Sequence, residues 1–281
     1  MTTISGRKSA APKSMLRSNP ILNRLSKVQE RAEANTATYA GIASKTTFFL
    51  LVTLVGMMAQ LLVKAAMANE PVWQSFTVYE KFVVSMSKTE AIVLGVVLVV
   101  GLIGQLVGVF AQKTVPVTGA VYSASQGYVI SFLVFKVLNG YEYLGLEALL
   151  LTVAVVAVMS WLYTAGIIQA DKKFHTVLLT LMLGSVAFSV IGFLGSLIPA
   201  TRPYVEAMLQ NAALTIALDV IGLIIAALFL ISDFSVIDNC VKQGYPKKYE
   251  WYAAFGLVFT VLWIYLKILD LLMQLSSKNK D

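Results

Sequence analysis

The stretch WYAAFGLVFTVLWIYLKILDLLMQ, residues 251–274, is long and apolar enough to form a membrane-spanning helix. About 20 apolar residues, each rising ~1.5 Å, cross a hydrocarbon core that is ~30 Å thick. The stretch also contains Lys267 and, one helical turn later, Asp270. A charge at membrane depth costs about 2.5–3.5 kcal/mol, and such residues usually face a protein interior. We therefore expect this last helix to be the core against which the other helices pack.

The composition is that of a protein with several membrane spans. Of 281 residues, 58% are hydrophobic and 13% are charged, and the mean hydropathy is +0.76. A soluble domain has about 25% charged residues. The single cysteine, Cys240, excludes an intramolecular disulfide, and the single histidine, His175, excludes a zinc site built from several His and Cys. The net charge of +7 does not by itself indicate nucleic acid, and we expect no nucleic-acid partner.

Six further apolar segments precede the last one, so the sequence predicts an all-α fold with seven transmembrane helices. Residues 1–40 are predicted to be a basic, partly disordered cytoplasmic tail, or alternatively to contain a short amphipathic helix touching anionic lipid. Residues 41–275 form the predicted transmembrane domain, and 276–281 a polar C-terminal tail. The longest loop, 71–88, is aromatic and is predicted to lie at the bilayer interface. The other apolar segments are at about 46–68, 91–111, 116–135, 148–170, 176–200 and 207–232.

The distribution of Lys and Arg predicts the orientation. Cytoplasmic segments carry an excess of these residues. The tail contributes most of the bias through Arg7, Lys8, Lys13, Arg17, Arg24, Lys27 and Arg31, whereas the loops divide evenly between the two sides. We therefore expect a multi-pass protein of the cell inner (plasma) membrane with a cytoplasmic N-terminus and no h-region of a cleavable signal peptide.

Charged residues at membrane depth are the candidates for a functional site, namely Asp219, Asp233, Lys267 and Asp270, with Gln126, Gln105 and Gln60 as polar companions. The last two helices should turn at residues 244–246, where Gly and Pro break helices. If both arms are straight, Asp219 lies level with Lys267 and Asp270, whereas Asp233 lies near Leu257, ~15 Å from Lys267 along the axis. The count favours an ion pair between Asp219 and Lys267.

Two interpretations of this pair remain open. It is either structural, with the two charges neutralising each other, or a gate that opens when a carboxylate is protonated. Asp270 either joins the site or extends its carboxylate to the outer surface, and Asp233 either joins it or lies at a helix end. His175 is predicted to be a surface residue, and Cys240 to be inert. Because the sequence contains no Walker loop, H-E-x-x-H or G-x-S-x-G motif, we expect neither an enzyme nor a cofactor.

Nearly the whole chain resembles the Bax-inhibitor (TMBIM) family, and within it the bacterial YccA-like branch. LRSNPILNR (16–24) and ATYAGIASKT (37–46) are similar to the opening of that branch. PVTGAVYSASQG (116–127) is similar to its third-helix motif, and the stretch 232–269, from SDFSVID to IYLKIL, is the longest match. The resemblance implies seven helices, with the last one enclosed by the other six.

The resemblance also implies a pH-sensitive calcium leak channel governed by two carboxylates on the sixth and seventh helices. The first matches Asp233, but the second falls on Lys267, where the family usually has Asp or Glu, and Gln126 replaces a usual Glu. Hard cations need several oxygen ligands, so Lys267 puts calcium activity in doubt. It remains open whether the protein conducts another cation, and whether Asp233 pairs with the residue at position 267.

A second function implied by the resemblance is that of a non-conducting membrane regulator. YccA-like proteins are associated with modulation of a membrane-anchored ATP-dependent protease, and the basic tail is the part of this chain expected to contact it. The predicted partners are thus membrane lipid, calcium or another cation, and such a protease. An enzyme is not expected, because the metallohydrolases with seven membrane helices need several His ligands.

Overall fold

The computed structural model describes residues 35–79, 81–168 and 170–278. This part of the chain contains eight α-helices and one antiparallel pair of strands. In chain order they are α1 (Tyr39–Ala66), β1 (Gln74–Val78), β2 (Phe82–Met86), α2 (Lys88–Phe110), α3 (Val115–Phe132), α4 (Tyr143–Thr164), α5 (Lys172–Leu197), α6 (Arg202–Gln210), α7 (Ala212–Lys242) and α8 (Tyr249–Lys278). A short 3-10 turn (Gln112–Thr114) precedes α3, and a π-helical turn (Leu133–Val137) extends it.

Six of these helices are long and apolar enough to cross a membrane: α1, α2, α4, α5, α7 and α8. The prediction of an all-α protein with several membrane spans is therefore confirmed. The remaining long helix, α3, is rich in Gly, Ser and Thr, and ten of its residues are buried. Because protein rather than lipid surrounds α3, its sequence does not need the apolar character of the other spans.

Contacts at the helix ends show that α3 crosses the same thickness as the other six. Residues 35–37, which precede α1, form a β-bridge with the α7–α8 turn through Thr36 and Pro246. At the other end, Tyr79 of the β1–β2 turn bonds to Asp270 near the end of α8. Both contacts require an odd number of crossings between the start of α1 and the end of α8, and α3 together with the six apolar helices gives seven. We call the side of the bundle with the Thr36–Pro246 bridge the N-terminal side, and the side with the Tyr79–Asp270 bond the hairpin side.

Helix α8 is the centre of the bundle, as the sequence predicts. It packs on α1, α3, α4 and α7, and its Phe255 also lies against Gly108 of α2. Helix α5 differs from the others: it packs on α6 and α7, and Leu178 is the one buried residue described in it. The expectation that all six helices enclose the last one is thus met except at α5.

The loop 71–88 contains both strands, and its location at the bilayer interface stays a prediction. It folds as a β-hairpin, in which Phe82 and Val84 of β2 are buried and Val83 points outward. This alternation is the period of two expected for a strand with one covered face. Lys81, beyond the turn, donates to the Ser276 carbonyl of α8 and lies over the Tyr141 ring. The hairpin therefore packs on the bundle.

Glycines bring α3 close to its neighbours. Gly56 of α1 faces the Ala124 carbonyl, and Gly127 of α3 faces the Thr53 carbonyl, so that a Cβ at either position would overlap the other backbone. On the opposite face of α3, Gly101 and Gly104 of α2 lie against Ser125 and Thr118. Glycines thus let the helices approach closely in both the α2–α3 and the α1–α3 contact.

We expect Gly127→Ala to lower the stability of the protein by about 1–3 kcal/mol, because the added methyl group forces α1 and α3 apart. Gly95→Ala in α2 is the matched control, since nothing lies within 4 Å of its added Cβ. Thermal unfolding in detergent measures both variants. Equal melting temperatures for the two would contradict the close α1–α3 contact.

A candidate gating site

An ion pair joins the last two long helices near the hairpin side. Lys267 Nζ of α8 lies 2.7 Å from Asp219 Oδ1 of α7, as the hairpin count predicts. The Asp219 side chain is 12% exposed and that of Lys267 is 31% exposed. Both helices are straight through this region, because α7 runs without a break to Lys242 and the turn falls at Gly244, whose φ is +65°. The pair therefore follows from the helix lengths on either side of the turn.

Three more side chains extend this pair into a hydrogen-bonded chain. Gln274, two turns beyond Lys267, donates to Asp219 Oδ2, and its Nε2 also lies 3.4 Å from the Tyr79 hydroxyl. Tyr79 in turn donates to Asp270. Burial raises the pKa of the Tyr79 hydroxyl, so that it remains protonated and serves as the donor. We call these five residues, Asp219, Lys267, Asp270, Gln274 and Tyr79, the gate cluster.

Tyr79 holds an unusual backbone conformation at the tip of the hairpin. Its φ is +52°, in the left-handed region that residues with a Cβ seldom occupy. The hydroxyl bond to Asp270 and the contacts of the neighbouring Lys81 hold the tip against the end of α8. The tip is thus fixed in place over the ion pair by side chains of α8.

A cleft of about 840 Å³ opens between α5 and α7, with Asp219 and Lys267 in its lining. Its other walls are largely apolar and include small residues: Gly184, Ser185 and Ser189 of α5, and Gly222 of α7. The Lys267 side chain lies beside Gly222 of α7, where an added Cβ would be in ordinary van der Waals contact with its Cε at 3.5 Å. The cleft and the half-buried ammonium group together give the cluster access to the space beside α5.

The structure does not bring Asp233 to Lys267, so the pairing implied by the family resemblance is wrong for this conformation. Asp233 lies against α8 beside Thr260, and its Oδ1 is 3.4 Å from the position of a Cβ on Gly256. Seven residues, or ~10 Å of helix, separate Thr260 from Lys267. The sixth span does not end early, which is what the pairing would need. Asp233 Oδ2 is buried and has no hydrogen-bond partner among the described residues.

Other predicted site residues lie elsewhere or have different partners. Gln126 is half-buried in α3, outside the gate cluster, and Gln60 accepts a hydrogen bond from Ser131 in the α1–α3 contact. Asp270 contacts Tyr79 and does not simply extend to the outer surface. His175, predicted to be a surface residue, is half-buried, and its Nδ1 lies 3.1 Å from Ser232 Oγ of α7.

Sequence reasoning missed Tyr79 and Gln274. Tyr79 lies in a loop, 191 residues from Asp270, and no local pattern links the two. Gln274 does carry a signal, since it is polar, lies in an apolar helix, and is seven residues after Lys267 on the same face.

Sequence reasoning also missed two further buried ion pairs. Glu250 of α8 lies 2.5 Å from Lys45 of α1, and Glu90 of α2 lies 2.7 Å from Lys136 at the end of α3. The Glu250–Lys45 pair lies on the N-terminal side of the bundle, and the Glu90–Lys136 pair lies on the hairpin side.

The carboxylates of the site do not form a metal centre in this conformation. Within residues 35–79, 81–168 and 170–278, no group of three or more His, Cys, Asp or Glu is placed to hold a metal ion. Calcium takes six to eight oxygen ligands, whereas two carboxylates and one ammonium group meet here.

A family model described as "Bax inhibitor 1 like" matches residues 19–277. The chain belongs to the Bax inhibitor 1-like family. A search of curated proteins finds no match. The bacterial YccA-like branch of the family stays a prediction, and so does the contact of the basic tail with a protease, since residues 1–34 lie outside the described part of the chain.

Proposed function

We propose that this member of the family is a pH-sensitive cation leak pathway whose closed state is held by the gate cluster. The observation that supports it is the Lys267–Asp219 pair, a charged contact between two membrane-spanning helices in the lining of a cleft. Ionisable residues within membrane spans commonly mark ion or proton pathways. Calcium is one candidate ion, and a monovalent cation fits the present residues better because it needs fewer carboxylates.

In the proposed mechanism, the gate opens when Asp219 loses its negative charge. Neutral Asp219 loses its charge attraction for Lys267, and the ammonium group can then turn to Asp270, three residues on along the same helix. Lys267 thus exchanges a partner on α7 for one on α8. The positive charge stays compensated, while the polar link between the two helices is lost. The hairpin tip loses its link to Asp219 through Gln274 in the same step.

The test is cation flux through purified protein in liposomes as a function of pH. We expect leak of a monovalent cation to increase as the pH falls, with empty liposomes as the background. Liposomes that leak neither monovalent cations nor Ca²⁺ at any pH would contradict the proposal.

We expect Lys267→Glu to raise calcium flux about ten-fold or more over the parent protein. The substitution brings three carboxylates together, at positions 219, 267 and 270, and it removes the ammonium group that repels Ca²⁺. Lys267→Gln is the matched control, because it removes the same positive charge without adding a ligand. A calcium-sensitive dye inside the liposomes measures the flux. If the Glu and Gln variants pass calcium equally, charge removal alone accounts for the effect and the ligand argument is wrong.

A further inference from the structure

A small cleft on the N-terminal side has the features of a headgroup site. It encloses about 260 Å³ between the α2–α3 turn and the start of α8. The turn contributes Gln112 and Lys113, and α8 and the residue before it contribute Lys248, Tyr249, Trp251 and Tyr252. The cleft is on the opposite side of the membrane domain from the gate cluster, so binding at this cleft is independent of the proposed function.

The two lysines of this cleft are uncompensated in the part of the chain that the structure describes. Neither Lys113 nor Lys248 forms an ion pair with a described acidic residue, and the described lining of the cleft contains no Asp or Glu. The nearest carboxylate along the chain, Glu250, is buried and already bound by Lys45 and Thr38. The cleft is therefore positively charged and selects for an anion.

Its surroundings are those of a bilayer interface. Trp and Tyr residues concentrate where the headgroups begin, and Tyr249, Trp251 and Tyr252 occupy the first turn of α8. Beside Lys113, Phe110 is 84% exposed and Val117 is 69% exposed. These apolar side chains at the ends of two membrane helices lie next to the charged cleft, in position to contact acyl chains.

We propose that this cleft binds the phosphate of an anionic phospholipid in the leaflet on the N-terminal side. Lys113 and Lys248 contact the phosphate oxygens, Gln112 and the Tyr hydroxyl groups donate to the remaining headgroup oxygens, and the acyl chains lie along Phe110 and Val117. Basic pockets between membrane helices bind anionic headgroups by this combination of charge and apolar contact.

Native mass spectrometry of the detergent-solubilised full chain tests this binding. We expect phosphatidylglycerol to bind and phosphatidylcholine to bind much more weakly. The double variant Lys113→Gln/Lys248→Gln should weaken phosphatidylglycerol binding by about 25-fold, because each lysine near a headgroup contributes about five-fold. Lys113→Arg/Lys248→Arg should retain it, and a melting temperature of the Gln variant equal to that of the parent protein shows that its weaker binding is not due to misfolding.

The control is Lys172→Gln/Lys173→Gln, which removes the same charge from the start of α5, outside the cleft. If this control weakens binding as much as the cleft variant, general charge attraction explains it and the proposal is overturned. Glycerol phosphate or inorganic phosphate displacing the lipid at equal concentration would also overturn it, because the site would then recognise a free phosphate.

Discussion

Asp219→Asn should make the protein leak cations at neutral pH at a rate that the parent protein reaches only in acid. Asparagine keeps the shape of the side chain and cannot carry the charge that binds Lys267. A hydrogen bond to a charged group contributes about 1.5–3 kcal/mol. Its loss shifts the equilibrium between closed and open states by about ten- to a hundred-fold. The flux through the variant should not change with pH, because the asparagine at position 219 carries no charge at any pH.

Glu206→Gln is the control for Asp219→Asn, since it also removes a carboxylate from an ion pair on the hairpin side. The Arg202–Glu206 pair is exposed and lies within the short helix α6. Glu206→Gln should leave the cation flux and its pH dependence unchanged. The double variant Asp219→Asn/Asp270→Asn tests the exchange of partners: without a carboxylate to receive the ammonium group, the leak at neutral pH should fall again. A flux profile of Asp219→Asn that coincides with that of the parent would refute the gate and leave the pair a structural contact.

Glu250→Ala should cost about 3–5 kcal/mol of stability, the usual effect of removing one partner from a buried ion pair. The Glu250 side chain is fully buried and that of Lys45 is 15% exposed. The carboxylate also accepts hydrogen bonds from the backbone N–H and hydroxyl group of Thr38, the residue that caps α1. An anion at the start of a helix is favoured by the helix dipole. Glu250 thus joins the beginnings of the first and last helices, and Gly41 leaves the space that its carboxylate fills.

Thermal unfolding in detergent measures this loss, which we expect to lower the melting temperature by about 10 °C. Glu206→Ala breaks an exposed pair and should change stability by less than about 1 kcal/mol. Lys45→Ala and the double variant complete a mutant cycle, in which the coupling between positions 45 and 250 should be a large part of the single effects. Additive single effects would mean that the two charges do not stabilise each other.

The sequence predicts the parts of this fold that depend on length and register along one helix. The turn at residues 244–246 and the antiparallel arms on either side place Asp219 opposite Lys267 by counting alone. The same counting places Asp233 near Leu257, whereas the family resemblance pairs it with position 267. For Asp233, counting residues along the two helices is therefore a better guide than the family resemblance, because α7 is unbroken and cannot bring Asp233 closer to Lys267.

Contacts between distant parts of the chain could not be found in this way. The bond from Tyr79 to Asp270 depends on a hairpin tip whose position is set by packing of β2 on the bundle. Lys45, which begins an apolar stretch, has the sequence features of a side chain that extends to water, and its buried partner Glu250 is 205 residues away. The sequence of the third span, residues 116–135, does not indicate which helices it touches. The choice of partner is decided by tertiary structure.

The β-bridge between Thr36 and Pro246 has a mechanical consequence. Ala37 N–H donates to the Tyr245 carbonyl, and Lys247 N–H donates to the Asn35 carbonyl. Residues 35–37 are thereby anchored beside the start of α8, at the short connection that follows α7. A pulling force applied at Asn35 would act first on these two hydrogen bonds. Through them it would act on the connection between α7 and α8, and so on the position of α8 along its axis.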